Sequence, residues 1–197
     1  MEVYLTAAGE VAVRPSAPEA TVAGLLAAMA VFGRGAVDCA GCAHTCCAGL
    51  PVFADNVFVR SLCALARPAV GGREAGELPR RVLRLDPLSH RWLLRPDGAG
   101  RCRFLAADGR CLIYGVRPLV CRLHLCLPSE AAFARLKDDL YFAYRHALAC
   151  ELAGLDGQAP AAAANPLIGA TAYDAVIGDV AAWARAARPG WPTGFSP

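Results

Sequence analysis

Four of the chain's ten cysteines fall within nine residues, in Cys39-Ala-Gly-Cys42-Ala-His-Thr-Cys46-Cys47, and no other stretch constrains the fold as much. Thiolates packed that densely need a metal or disulfides. In C-x2-C a tight turn brings two sulfurs onto one ion and lets backbone N–H groups hydrogen-bond to them. Gly41 suits that turn. Cys39, Cys42 and Cys46 stand at i, i+3 and i+7, so a partly helical path keeps three sulfurs on one side. Adjacent residues point in different directions, so Cys47 reads either as a ligand of a second site or as a small buried hydrophobe.

At 197 residues the chain has room for one core-bearing domain and a helical appendage. Charged residues make up 19% and hydrophobic ones 56%, which excludes disorder along the whole length. The longest apolar run, Ala20 to Phe32, is shorter than the roughly 20 residues of a membrane span. It also sits too far in for a secretory leader and follows Glu2, Glu10 and Glu19, with Arg14 as the one positive charge before it. The expected location is therefore the cytoplasm, with no membrane partner. Thiols stay reduced there, so ten cysteines speak for a metal rather than a disulfide framework.

The net charge of +3 is unevenly spread. Residues 80–122 hold ten arginines against Asp86, Asp97 and Asp108, a local +7 that leaves −4 for the remainder. Such a segment offsets thiolate charge or meets an anionic partner. A protein partner is expected, and nucleic acid is disfavoured.

Along the chain, EVYLT and VAVRP predict two short strands about a turn, closed by Pro15 and Pro18. A helix is predicted from Pro18 and Glu19 to about Phe32, stopped by Gly33 and Gly35. Asp55 is placed to cap a helix over Val57 to Ala66, ended by Pro68 and Gly71-Gly72, with a loop over 71–79. Cys63 lies inside that helix and reads as core. Arg81 to Leu85 and Arg91 to Leu94 predict two more strands, separated at Asp86-Pro87.

Asp108-Gly109 between Cys102-Arg-Phe-Leu-Ala and Arg110-Cys111-Leu-Ile-Tyr114 signals a hairpin. With a two-residue turn, Cys111 opposes Ala106 and lies far from Cys102; the two then share an ion only if the hairpin is looser. Arg117-Pro118 opens a short helix bearing Cys121, His124 and Cys126. Ser129 caps a long helix to about Leu152, with Phe133, Leu136, Leu140, Tyr144 and Leu148 at helical spacing. His124 reads as hydrogen-bonded structure, as do His146 and Cys150 at i, i+4, which lack a nearby third ligand. A small-residue linker, 158–166, precedes a last helix over Leu167 to Ala187 anchored by Trp183.

These two cysteine blocks resemble the YkgJ-like cysteine-cluster family, described as a zinc- or iron-chelating domain. The second block, Cys102-Arg-Phe-Leu, Gly109-Arg-Cys-Leu-Ile-Tyr114 and Arg117-Pro-Leu-Val-Cys-Arg122, is similar to that family's C-x-F-L, G-x-C-x-I-Y and R-P-x-x-C-R signature. The first departs from the usual C-x2-C-x2-C-C, because Ala43, His44 and Thr45 separate Cys42 from Cys46. That variant resembles the cysteine region of FliB-type flagellin lysine N-methylases, which implies an iron–sulfur cluster. The likeness covers about residues 36–128.

The expected fold is α+β: a small, metal-stapled, loop-rich cysteine domain with short hairpins and flanking helices. Its divisions are 1–35, 36–128 and 129–197. The candidate metal ligands are Cys39, Cys42, Cys46, Cys47, Cys102, Cys111, Cys121 and Cys126. Thiolates suit zinc and iron–sulfur alike. Three cysteines in one loop with a distant fourth favour a 4Fe–4S cluster, since closed zinc sites more often pair two C-x2-C knuckles. Arg117 and Arg122 read as structural. The alternatives are a cluster-dependent methyl or redox enzyme, with His44 or Tyr114 near the site, and a structural zinc module for an anionic partner.

Overall fold

A computed structural model of the chain describes residues 1–37, 46–86, 91–155 and 165–188, with the backbone alone over 69–76 and 153–155. Its first element is the expected hairpin, β1 (Glu2–Leu5) paired antiparallel with β2 (Val11–Arg14). Gly9 closes the turn at φ 77°, a conformation that costs glycine nothing because it has no Cβ. Helix α1 spans Val22–Ala36, capped by the Thr21 hydroxyl, which accepts from the Gly24 N–H at 3.2 Å. It starts later than the sequence suggests and runs through Gly33 and Gly35, which weaken a helix without breaking it.

Helix α2 (Asn56–Val82) departs most from expectation. The predicted break and loop are helical, with Pro68 and Pro79 inside. Phe58, Val59 and Leu62 near its start and Val82 at its end are buried in one apolar cluster. Burial at both ends holds the helix through prolines that each remove a donor. Strands β3 (Leu83–Asp86) and β4 (Arg91–Leu94) follow, in antiparallel register from Leu83 opposite Leu94 to Asp86 opposite Arg91. The turn at Pro87 lies outside the described residues. The segment Val52–Ala54 runs along the other edge of β4, with Ala54 N–H to Trp92 O and Leu94 N–H to Val52 O, both 2.9 Å.

Helix α3 (Leu119–Leu123) is short, and α4 (Ala131–Leu155) is long. Glu130, rather than Ser129, caps α4: its carboxylate accepts from the Ala132 and Phe133 N–H groups, while Ser129 Oγ takes Lys137 Nζ at 2.7 Å. Helix α5 (Ile177–Ala187) starts ten residues after the predicted Leu167. The preceding stretch is occupied otherwise. Asn165 Oδ1 holds the Leu167 N–H, Gly169 sits at φ 84°, and 173–177 exchange backbone hydrogen bonds with 20–23. Residues 158–164 of the predicted linker and the tail from 189 lie outside the described residues.

Two apolar clusters organise these α+β elements. The larger joins β2, α1, α3, α4 and α5 through Leu25, Leu26, Met29, Leu119, Phe133, Leu140 and Tyr144. Trp183 anchors α5 as expected, its ring 5.9 Å from Phe142 and 5.1 Å from His146. The smaller is built by α2, β3, β4 and the far end of α4, and Cys102, Phe104, Ile113 and Cys121 pack against it. Among the described residues no helix is long and apolar enough to cross a membrane.

Candidate metal centre

The cysteine-bearing segments hold little regular structure, and turns set their path. The predicted two-residue hairpin is a three-residue turn. Gly109 N–H bonds to Ala106 O at 3.0 Å, Ala106 N–H to Arg110 O at 2.8 Å, and Gly109 stands at φ 81°. Cys111 therefore opposes Leu105 instead of Ala106. The same construction stands nine residues earlier: Gly100 N–H to Asp97 O at 3.1 Å, Asp97 N–H to Arg101 O at 2.8 Å, Gly100 at φ 79°, and Cys102 opposite Pro96. Each turn ends Gly-Arg-Cys. That repeated tripeptide is the signal from which paired turns were legible.

Hydrogen bonding then sews segments together. Cys102 N–H donates to Cys47 O at 2.8 Å, joining the end of the first cysteine block to the second. Leu112 N–H donates to Phe104 O at 2.9 Å, joining the two arms of the second block. Beneath them Asp55, 2% exposed, acts as a hub. Its carboxylate accepts from Phe58 N–H at the start of α2, from Leu119 N–H at the start of α3 at 2.7 Å, and from Tyr173 Oη at 2.8 Å. Burial pushes this carboxyl up while those donors and Arg122 favour its charged form. Sequence reasoning found the cap on α2 and missed the other two bonds, which are tertiary.

Cys47, Cys102, Cys111 and Cys121 lie within electrostatic reach of one another in every pairing. Burial, then the neighbouring thiols Cys46, Cys102 and Cys111, push the Cys47 thiol up to about 11. Burial, followed by Cys47 and Cys102, lifts Cys121 to about 12, with Arg117 opposing. Cys102 is raised by burial and by Cys111, against a hydrogen bond from the Phe104 N–H and the charge of Arg103. A backbone N–H on a cysteine sulfur lowers the cost of a thiolate there, as in metal-binding turns. Among the described residues no group of three or more His, Cys, Asp or Glu side chains stands close enough to hold a metal ion. Cys39, Cys42 and His44 lie outside them.

The other candidates separate clearly. Cys46 opens a short 3-10 turn beside Cys47. Cys126 is exposed in the bend after α3 and follows Leu125, whose Cδ2 stands 3.3 Å from where a Cβ on Gly33 would lie, near the end of α1. His124 is exposed at the C-cap of α3. Cys63 packs on the smaller cluster, and Cys150, buried, meets His146 Nδ1 at 3.5 Å. His146 also meets Asn165 Nδ2 at 3.1 Å and packs on Phe142 and Trp183, a hydrogen-bonded core histidine. Arg117 and Arg122 each lie over an aromatic ring. Arg117 donates to Tyr114 O at 3.2 Å and lies 3.8 Å over its ring, and Arg122 lies 5.3 Å from the ring centroid of Tyr173.

Compared with known proteins, the chain matches no family model, no curated protein and no solved structure.

Proposed function

We propose that this is a metal protein whose thiols take an iron–sulfur cluster, with 4Fe–4S favoured, or zinc. The observation that carries the reading is that Cys47, Cys102, Cys111 and Cys121, from a 3-10 turn, two hairpin turns and helix α3, lie within electrostatic reach of one another, with Cys102 and Cys121 packed on the smaller apolar cluster. Without a cation this is an unfavourable arrangement: burial and neighbouring thiols disfavour the thiolates of Cys47, Cys102 and Cys121. A bound cation adds an attraction to each thiolate that outweighs those costs, and it deprotonates its ligands. The donor set is all sulfur, which fits zinc, copper(I) or iron–sulfur and does not fit magnesium or calcium.

In this reading the chain's residues divide the work. Cys47, Cys102, Cys111 and Cys121 would supply one ligand set by closing in on the ion from their present spacing, and Cys39, Cys42, Cys46 and Cys126 would supply further thiols that belong to the same centre or a second one. The Phe104 N–H and Arg103 beside Cys102, with Arg117 beside Cys121, spread the negative charge of the bound thiolates. Asp55 fixes the entry of α3 and so the position of Cys121. When bound, a cluster supplies one-electron transfer and zinc supplies structure alone. The metal-stapled character of the fold and the protein-partner role belong to the same proposal.

X-ray absorption at the metal edge tests it. Four sulfur ligands per metal, at about 2.3 Å for zinc, are expected. A first shell of nitrogen and oxygen would remove the thiols from the site.

A further inference from the structure

The strongest unassigned feature is a cleft of about 180 Å3 beside Cys102. Its floor is apolar, formed by Leu50, Val52 and Leu93, and its rim carries Arg84, Arg101 and Cys102. Leu50 is 55% exposed there, a large aliphatic side chain left facing water. Along 101–104 the residues alternate: Arg101 and Arg103 point out, while Cys102 and Phe104 turn toward the smaller apolar cluster. On the second arm Arg110, Leu112 and Tyr114 are exposed in the same alternation, with Cys111 and Ile113 turned in.

The charge on this rim is only partly answered. Asp97 holds Arg101 through two hydrogen bonds, at 3.1 and 3.0 Å, and so fixes it in place. Arg84 also lines the cleft, and among the described residues no carboxylate pairs with it. The surrounding sequence does not neutralise it either, since 80–122 carries a net +7. Room for one large apolar side chain, flanked by the unpaired Arg84 guanidinium and by Arg101, has a specific complement. Nucleic acid offers the charge without the aliphatic anchor, and a lone small anion leaves the apolar floor wet.

We infer that this cleft is a docking site for an acidic protein segment, which seats one apolar side chain against Leu50 and Leu93 and sets a carboxylate on Arg84. The site stands whichever metal the thiols take, and it would hold the partner within one residue of Cys102. Buried apolar anchors carry most of the affinity of such contacts, and rim charges carry its salt dependence.

Fluorescence anisotropy on the purified protein tests this with three labelled probes: a short glutamate-rich peptide with a central leucine, the same peptide with serine there, and a single-stranded oligonucleotide of equal charge. The leucine peptide is expected to bind about tenfold tighter than the serine peptide, and more weakly as salt rises. Arg84→Glu and Leu50→Ser, both at exposed positions, are each expected to weaken it about fivefold with unchanged circular dichroism and metal content. Equal affinity for the two peptides, tighter binding of the oligonucleotide, no binding of any probe, or indifference to both substitutions would each overturn the inference.

Discussion

The N-terminal hairpin and the two cysteine-bearing turns use one backbone device for different ends. Thr6–Glu10, Asp97–Arg101 and Ala106–Arg110 are all three-residue turns closed by a glycine at positive φ, with the same pair of backbone hydrogen bonds. After the first turn, β2 feeds Val11 and Ala12 into the larger core, so burial fixes it. After the other two come Cys102 and Cys111, which are half-buried and carry thiols that repel one another once ionised. One region is held by apolar burial, and the other, in the proposed reading, is completed by a metal.

Under the proposed reading, removing the metal sharpens that contrast most. A closed thiolate site contributes on the order of 10 kcal/mol of binding energy that is also folding energy. Chelation, or Cys121→Ser, is expected to strip hydrogen-exchange protection from residues 101–123 while amides in α1 and α4 stay protected. Uniform loss, or none, would break the two-region picture. Phe133→Ala probes the other side. Phe133 is 2% exposed in the larger cluster, so the substitution is expected to cost about 3–5 kcal/mol in denaturant melts and leave metal per folded chain unchanged.

Asp55→Ala strikes the link between the regions. It strands the Leu119 and Phe58 N–H groups and the Tyr173 hydroxyl, with an expected cost of about 3 kcal/mol. Unlike Phe133→Ala it should also lower metal content, because α3 carries Cys121. The smallest effects come from the turns themselves. Gly9→Ala, Gly100→Ala and Gly109→Ala each put a Cβ at positive φ, at about 1–2 kcal/mol apiece. Only the latter two should reduce metal occupancy; equal occupancy in all three would show that the turns do not position the thiols.

Local patterns explain which parts of this could be read from the sequence. The strands about Gly9, the Asp55 cap and the α4 spacing of Phe133, Leu140, Tyr144 and Leu148 are all written within a few residues, and the structure has them. Helix α2 was not legible, because Pro68 and Gly71-Gly72 signal a stop that burial of Phe58 and Val82 overrides. The start of α5 was hidden for the opposite reason. Residues 173–177 leave helical spacing to bond with 20–23, a pairing between distant segments. The candidate site divides the same way: the cysteines announce themselves by density, but bringing Cys47 within electrostatic reach of Cys102 and Cys111 depends on the Cys102-to-Cys47 backbone bond and on the looser turn at Gly109.

The most direct measurement is metal and acid-labile sulfide analysis, with a visible spectrum, on protein purified without oxygen. Brown protein with about four irons and matching sulfide per chain is the predicted result, and colourless protein with bound zinc would keep the thiolate centre while removing its electron transfer. Protein that folds, carries no metal and leaves Cys47, Cys102, Cys111 and Cys121 open to thiol reagents would contradict the account.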